Sequence, residues 1–253
     1  MDLSNYLADL NDSDPNVRAS GIIALGKTGN RDAVNYLIPV LQNQNEVEWL
    51  RACAAIALGR IPGEEAVPPL INALKDTSIL LSRAAVIALG DRKCRQAIPH
   101  LENILRDAGR QELHPAAVSV LGAIGGSQAV PAILKALENS DTLVKRNAAM
   151  ALGEMRDKTA VLPLIRLLKE DDECLRAITA SSLGLIGDKC AAPALIEALN
   201  DGSETVRTIA ASSLGYLGDD EAAPPLEKAL LDENKAVRQT ADVALSKIKS
   251  HGN

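Results

Sequence analysis

Few side chains in this sequence combine the type and spacing that catalysis demands. Histidine occurs only at 100, 114 and 251, and no His–Glu pair is present. Cys53, Cys94, Cys174 and Cys190 are separated by 41, 80 and 16 residues, with no C-x-x-C and no nearby histidine pair. That pattern signals neither a zinc module nor a disulfide framework, and reduced thiols are expected. No Gly-rich phosphate loop, paired-carboxylate motif or G-x-S-x-G occurs. What remains is charge. The stretch DRKCRQAIPHLENILRDAGRQ sets Arg92, Lys93, Arg95, Arg106 and Arg110 against Glu102 and Asp107. On a chain of net charge −6 this excess is the best candidate for an anionic ligand or an acidic partner, the alternative being a solvated loop. Cys94 lies inside it and is expected to be the most exposed thiol, the one a transient adduct or a metal contact would use, although it has no base in register.

Composition fixes what kind of scaffold carries these residues. Apolar residues make up 47% of the chain, yet aromatic ones are limited to Trp49, Tyr6, Tyr36 and Tyr216, with no Phe. A core of Ala, Leu, Ile and Val suits helices packed closely on helices. The acidic balance repels a phosphate backbone, and four aromatics supply no stacking platform, so nucleic acid is not expected as a partner. The N-terminus MDLSNYLADL carries acids where a signal peptide carries a basic region, and no apolar run is long enough to span a bilayer. A soluble cytoplasmic protein is expected.

The elements come from an internal repeat. The Gly of an L-G phrase, with Ala five residues before it in most copies, recurs at 26, 59, 90, 122, 153, 184 and 215, at spacings of 33, 31, 32, 31, 31 and 31, and Ser246 stands a further 31 on. Apolar residues eleven and fifteen after each Gly mark one helical stripe, and those nine, five and one before it mark another. Each unit is therefore two helices, A then B, with repeats near 1–29, 30–62, 63–93, 94–125, 126–156, 157–187, 188–218 and 219–253. Gly29, Gly125, Gly187 and Gly218 are placed to close B helices in the left-handed conformation. Prolines at 99, 131, 163, 193 and 224 fall in first turns of A helices, where a missing N–H does least harm. Pro39 lies deeper and predicts a kink. The Gly of L-G itself is expected to admit the next repeat closely. Ser246 at that position, with Lys247 and Lys249, then suits a terminal cap and a complete array.

Units such as SETVRTIAASSLGYLGDDEAAPPLEKALLD and DPNVRASGIIALGKTG resemble the short HEAT repeats of phycobilin lyases, and the resemblance covers essentially the whole chain. It implies an all-α fold, an α-solenoid of about eight HEAT-like hairpins forming a single domain with B helices lining a concave groove. In length and repeat number the chain is similar to the E-type subunit of heterodimeric phycocyanobilin lyases. That implies a protein partner in the groove, either a phycobiliprotein or a second lyase-like subunit. No permanently bound cofactor is implied, only transient handling of a bilin, phycocyanobilin. The competing class is a non-catalytic adaptor or scaffold, for example in cofactor or iron–sulfur assembly. The His-poor sequence excludes the di-iron hydroxylase branch of HEAT enzymes.

Helix geometry places the groove lining. If the positions nine, five, two and one before the Gly are core, those seven and three before it face away. The first row includes Arg83 and Arg146, the second Ile23, Ile56, Ile87 and Met150. These apolar residues either form an exposed patch flanked by arginines, or are covered by adjacent B helices. Eight before the Gly, Arg18, Arg51, Arg176, Arg207 and Arg238, with Lys145, predict a ladder onto carboxylates of neighbouring turns. Ser82 and His114 interrupt it, marking either a change of curvature or a functional site. Trp49 opens helix B2 at a position that tolerates polar residues, so it either anchors a partner or staples its own turn. The run Glu170–Glu173 reads as a solvated turn.

Overall fold

The computed structural model describes residues 3–251, which hold sixteen α-helices and no strand. In chain order the A–B pairs are α1 (Ser4–Asp9) and α2 (Pro15–Thr28), α3 (Val34–Gln42) and α4 (Glu48–Arg60), α5 (Val67–Ala73) and α6 (Ile79–Asp91), and α7 (Ile98–Arg106) and α8 (His114–Ile124). They continue with α9 (Val130–Ala136) and α10 (Thr142–Met155), α11 (Val161–Leu167) and α12 (Glu173–Ile186), α13 (Ala192–Ala198) and α14 (Glu204–Leu217), and α15 (Ala223–Ala229) and α16 (Lys235–His251). These are the eight stacked hairpins expected, and they fall into two compact units, residues 1–124 and 125–253. No described helix is long and apolar enough to cross a membrane.

Local chemistry sets the boundaries. In most repeats a single 3-10 turn precedes the A helix, and Asn30, Asp157, Asp188 and Asp219 cap it by accepting the amide two residues on. B helices open on Asp14, Ser78, Asp141, Asp172 and Ser203, whose side chains accept first-turn amides. The glycines at 29, 125, 187 and 218 all adopt positive φ, Lys93 and Arg156 take that conformation in the third and fifth repeats, and in the second the B helix ends on extended Ile61 ahead of Pro62. Helix α3 runs through Pro39 to Gln42 as one element.

The L-G glycines are explained by packing, as expected. A Cβ on Gly59 would sit 2.8 Å from both the Cα and Cβ of Ala88, and one on Gly184 would sit 2.5 Å from Ser213 Oγ. The contact always falls on the residue two before the next repeat's own Gly: Ala57, Ala88 and Val120 in the first unit, Ser182, Ser213 and Ala244 in the second. Ser246, at the equivalent position of the last described helix, is exposed and meets no such contact among the described residues.

Candidate protein-docking face

Two lines of side chains run over each stack, one made of ion pairs along the A–B turns and one made of the outward rows of the B helices. The ion pairs are the more regular. Arg207 of α14 donates through Nη1 to the carbonyls of Asp201 and Gly202, and through Nε and Nη2 to both oxygens of Asp232 in the next turn, at 2.8 and 3.0 Å. Arg176 repeats this on Glu170, Asp171 and Asp201. Arg18–Glu46, Arg51–Asp76 and Lys145–Glu170 extend the expected ladder, whereas Arg238 in the last repeat reaches, among the described residues, only the carbonyls of Asp232 and Glu233. The guanidiniums facing Asp201 and Asp232 hold those carboxyls below the ordinary range. At Asp76, burial pushes the other way and is outweighed by the Ser78 amide and Arg51. Arg18, Arg176 and Arg207 thus close carbonyls of their own A–B turns and clamp the following repeat.

At the two interruptions the structure supplies a substitute that the sequence pattern hid. Between α7 and α8 the short turn is replaced by a longer 3-10 segment, Ala108–Leu113. From it Arg110 reaches back to the carbonyls of Leu74 and Asp76 and to Ser82 Oγ, so a guanidinium fills the place that Ser82 leaves empty. His114 is buried, with Nε2 3.1 Å from the Asp107 carbonyl, closing the same kind of helix end with an imidazole. Both groups are structural, and His114 is not available to a partner.

The basic stretch around residue 92 is dispersed in the same way. Arg92 is not a surface cation but caps the end of α4 through the carbonyls of Leu58, Ile61 and Gly63. Arg106 pairs with Glu102 within its own helix. Of that stretch, Lys93 and Arg95 stay exposed. Cys94 corrects the expectation of an exposed thiol: it is buried at 8% exposure, because it opens a 3-10 turn at the position that Asp caps in other repeats. Cys174 and Cys190 are the exposed thiols. Cys190 is held protonated by its hydrogen bond to the Asp188 carboxylate and that group's charge, whereas Cys174 stands one repeat position equivalent to Trp49.

The outward row of B helices is open. Ile23, Ile87 and Met150 are 41, 42 and 44% exposed, while Ile56 is half-buried. Trp49, Leu80 and Leu143, seven residues earlier on their helices, are exposed too. Adjacent B helices therefore do not cover this row. The row four residues before it behaves otherwise: Ala19, Ala52 and Ala177 are buried, since a methyl group lies below the surface made by longer neighbours, and only a side chain such as Arg83 emerges. Arg146 is committed to Asp172 at 2.5 Å and is not free to receive an anion. Arg83 donates to the Glu112 carbonyl and meets no carboxylate among the described residues. In the second unit Tyr216 is exposed with the Lys247 ammonium 3.8 Å above its ring.

A family model for HEAT repeats matches residues 3–90, 48–121, 67–141, 98–184, 130–215 and 192–252, the whole described array. The chain belongs to the HEAT-repeat family. Among solved HEAT-type structures, the complex of CpcE and CpcF of phycocyanin lyase from Nostoc sp. PCC7120 is similar at 26% identity and a TM-score of 0.54, covering 98% of this chain and 95% of that one. YibA of Escherichia coli superimposes better, at a TM-score of 0.71 and 20% identity over 98% and 93% of the two chains. An engineered protein matches at 0.61 and 20% identity over 99% and 79%. No curated protein matches the sequence. The YibA and engineered likenesses concern the shared HEAT fold, and function must come from sites grafted on it.

Proposed function

We propose that this HEAT-repeat protein docks another protein on the outward rows of its B helices and works as an E-type-like subunit in bilin attachment to phycobiliproteins. The observation that carries the reading is the near end-to-end similarity to the phycocyanin lyase complex, at an identity above that of the other solved relatives cited. The open Ile23, Ile56 and Ile87 row supports it, because exposed aliphatic side chains in register are what a protein surface buries on docking. In this role the chain contributes orientation. A reactive bilin, held transiently as substrate, is presented to an acceptor cysteine of the partner, and alignment alone lowers the barrier to thiol addition. Arg83, with no carboxylate opposite it, is the cation suited to a bilin propionate; Arg146 and Cys94 are withdrawn from such roles by their own contacts.

Co-expression with a phycocyanobilin pathway, an apo-phycobiliprotein and a second lyase-like subunit tests this. Covalently coloured phycobiliprotein that depends on this chain is the expected result. A colourless acceptor with and without the second subunit overturns the reading and leaves a pigment-free adaptor, for example in cofactor or iron–sulfur assembly.

A further inference from the structure

We infer that the B-helix face of the first unit accepts an acidic amphipathic α-helix laid across α2, α4 and α6, an inference that rests on the docking reading above and gives its partner a chemistry. Three observations meet on this face. The first is a row of isoleucines, one per helix, with Trp49 and Leu80 beside it. The second is spacing. Neighbouring helices pack on the order of 8–10 Å apart, and the glycine contacts of Gly26 on Ala57 and Gly59 on Ala88 hold these three at close approach. Ile23, Ile56 and Ile87 therefore repeat at roughly 8–10 Å, a little under the roughly 10.5 Å that seven residues of an α-helix rise, a difference that an oblique crossing takes up. A helix crossing the row places apolar residues at i, i+7 and i+14 onto successive isoleucines.

The third is charge. Lys27 and Arg60 stand four residues beyond Ile23 and Ile56, on a line parallel to the isoleucine row and about 6 Å from it along the helix axes. Both are exposed, and neither is paired with a carboxylate among the described residues. Arg83 adds a third cation on the opposite border, and Asp91, four beyond Ile87, is the single anion of that line. On an otherwise acidic protein this is an excess of positive charge along one edge of an apolar strip. It selects a helix whose apolar stripe is flanked by Glu or Asp on the side facing Lys27 and Arg60, with the carboxylate-free end over Asp91.

Trp49 is the chain's single tryptophan and lies on this face, so its fluorescence reports occupancy directly. The probes are two Trp-free 18-residue helical peptides with Leu every seven residues, one flanked by Glu and the other by Lys at the same positions. The Glu peptide is expected to shift Trp49 emission to the blue and to bind at least 10-fold more tightly than its Lys sister at low salt, the advantage shrinking as salt screens the exposed charges. The Lys27→Glu/Arg60→Glu variant is expected to reverse that preference. Equal affinities overturn the acidic selection while leaving apolar docking and the bilin reading standing. If neither peptide moves Trp49 emission, or if biliverdin alone does, the helix proposal falls; the pigment co-expression result is decided separately.

Discussion

The two units share one repeat but use it differently. In the second, the same bonds recur every 31 residues, with Arg176 on Asp201 and Arg207 on Asp232, and the B-face cation Arg146 is consumed by Asp172. Its outward row is mixed, with Ser181 and Ser212 separating the exposed Met150 and Val243. In the first, the ladder fails at Ser82 and is mended by Arg110 from an elongated turn, the outward row runs Ile23, Ile56 and Ile87 before Ser119, and Lys27, Arg60 and Arg83 meet no carboxylate among the described residues. A solenoid whose clamps are strictly periodic needs nothing else from its surface. The clamp and the apolar strip vary independently: Arg18–Glu46 and Arg51–Asp76 are intact in the very repeats that carry Ile23 and Ile56, so the B face is free to differ while the ladder is kept.

The largest effects test whether the mended ladder equals the regular one. Arg207→Ala in the second unit strands a largely buried Asp232 and is expected to cost about 3 kcal/mol, and Arg110→Ala in the first should cost a comparable amount by denaturant melts. Adding Ser82→Arg to Arg110→Ala restores a guanidinium from the usual helix and should recover roughly half of that loss; no recovery would mean that Arg110 acts in some other way. Gly59→Ala forces a methyl onto the Ala88 backbone and is expected to cost about 2 kcal/mol, while Ser246→Ala, facing no further repeat, should stay within about 0.5 kcal/mol.

Acid sharpens the comparison next. Asp76, Asp201 and Asp232 are held below their ordinary range in the fold, so their ionised forms favour the native state. That contribution is complete above about pH 4 and is lost as pH falls through the depressed folded values. The second unit, with two such carboxyls clamped bidentately by arginine, is expected to show the steeper loss of amide-exchange protection on acidification. The smallest effect is a gain. Thr179 replaces the usual Ala at a fully buried position, and its hydroxyl finds no partner, so Thr179→Val should stabilise the second unit by about 1 kcal/mol.

The fold was legible because periodicity, caps and glycines all speak at the same 31-residue interval. Helix angle aligns the isoleucine row and the ladder positions, but whether adjacent B helices cover the isoleucines is decided by the packed structure, in which Ile23 and Ile87 stand open. What escaped the sequence were contacts between side chains and main-chain carbonyls far along the chain. Arg92 and Arg110 look like surface charges until their targets, the ends of α4 and α5, are placed beside them. The polar neighbours of Cys94 suggest exposure, whereas its own position is the N-cap of a 3-10 turn and is buried. His114 stands where the ladder arginine belongs, and that register was the available signal for its role.

The central claim is that the isoleucine row of the first unit is a docking surface and not core. Ile23→Asp/Ile87→Asp changes its two most exposed members, since Ile56 is half-buried. Titration of an apo-phycobiliprotein into the wild-type and variant proteins, with circular dichroism on both, is the direct measurement. Unchanged helicity with at least 10-fold weaker binding is predicted; unchanged binding, or unfolding of the variant, would contradict the claim.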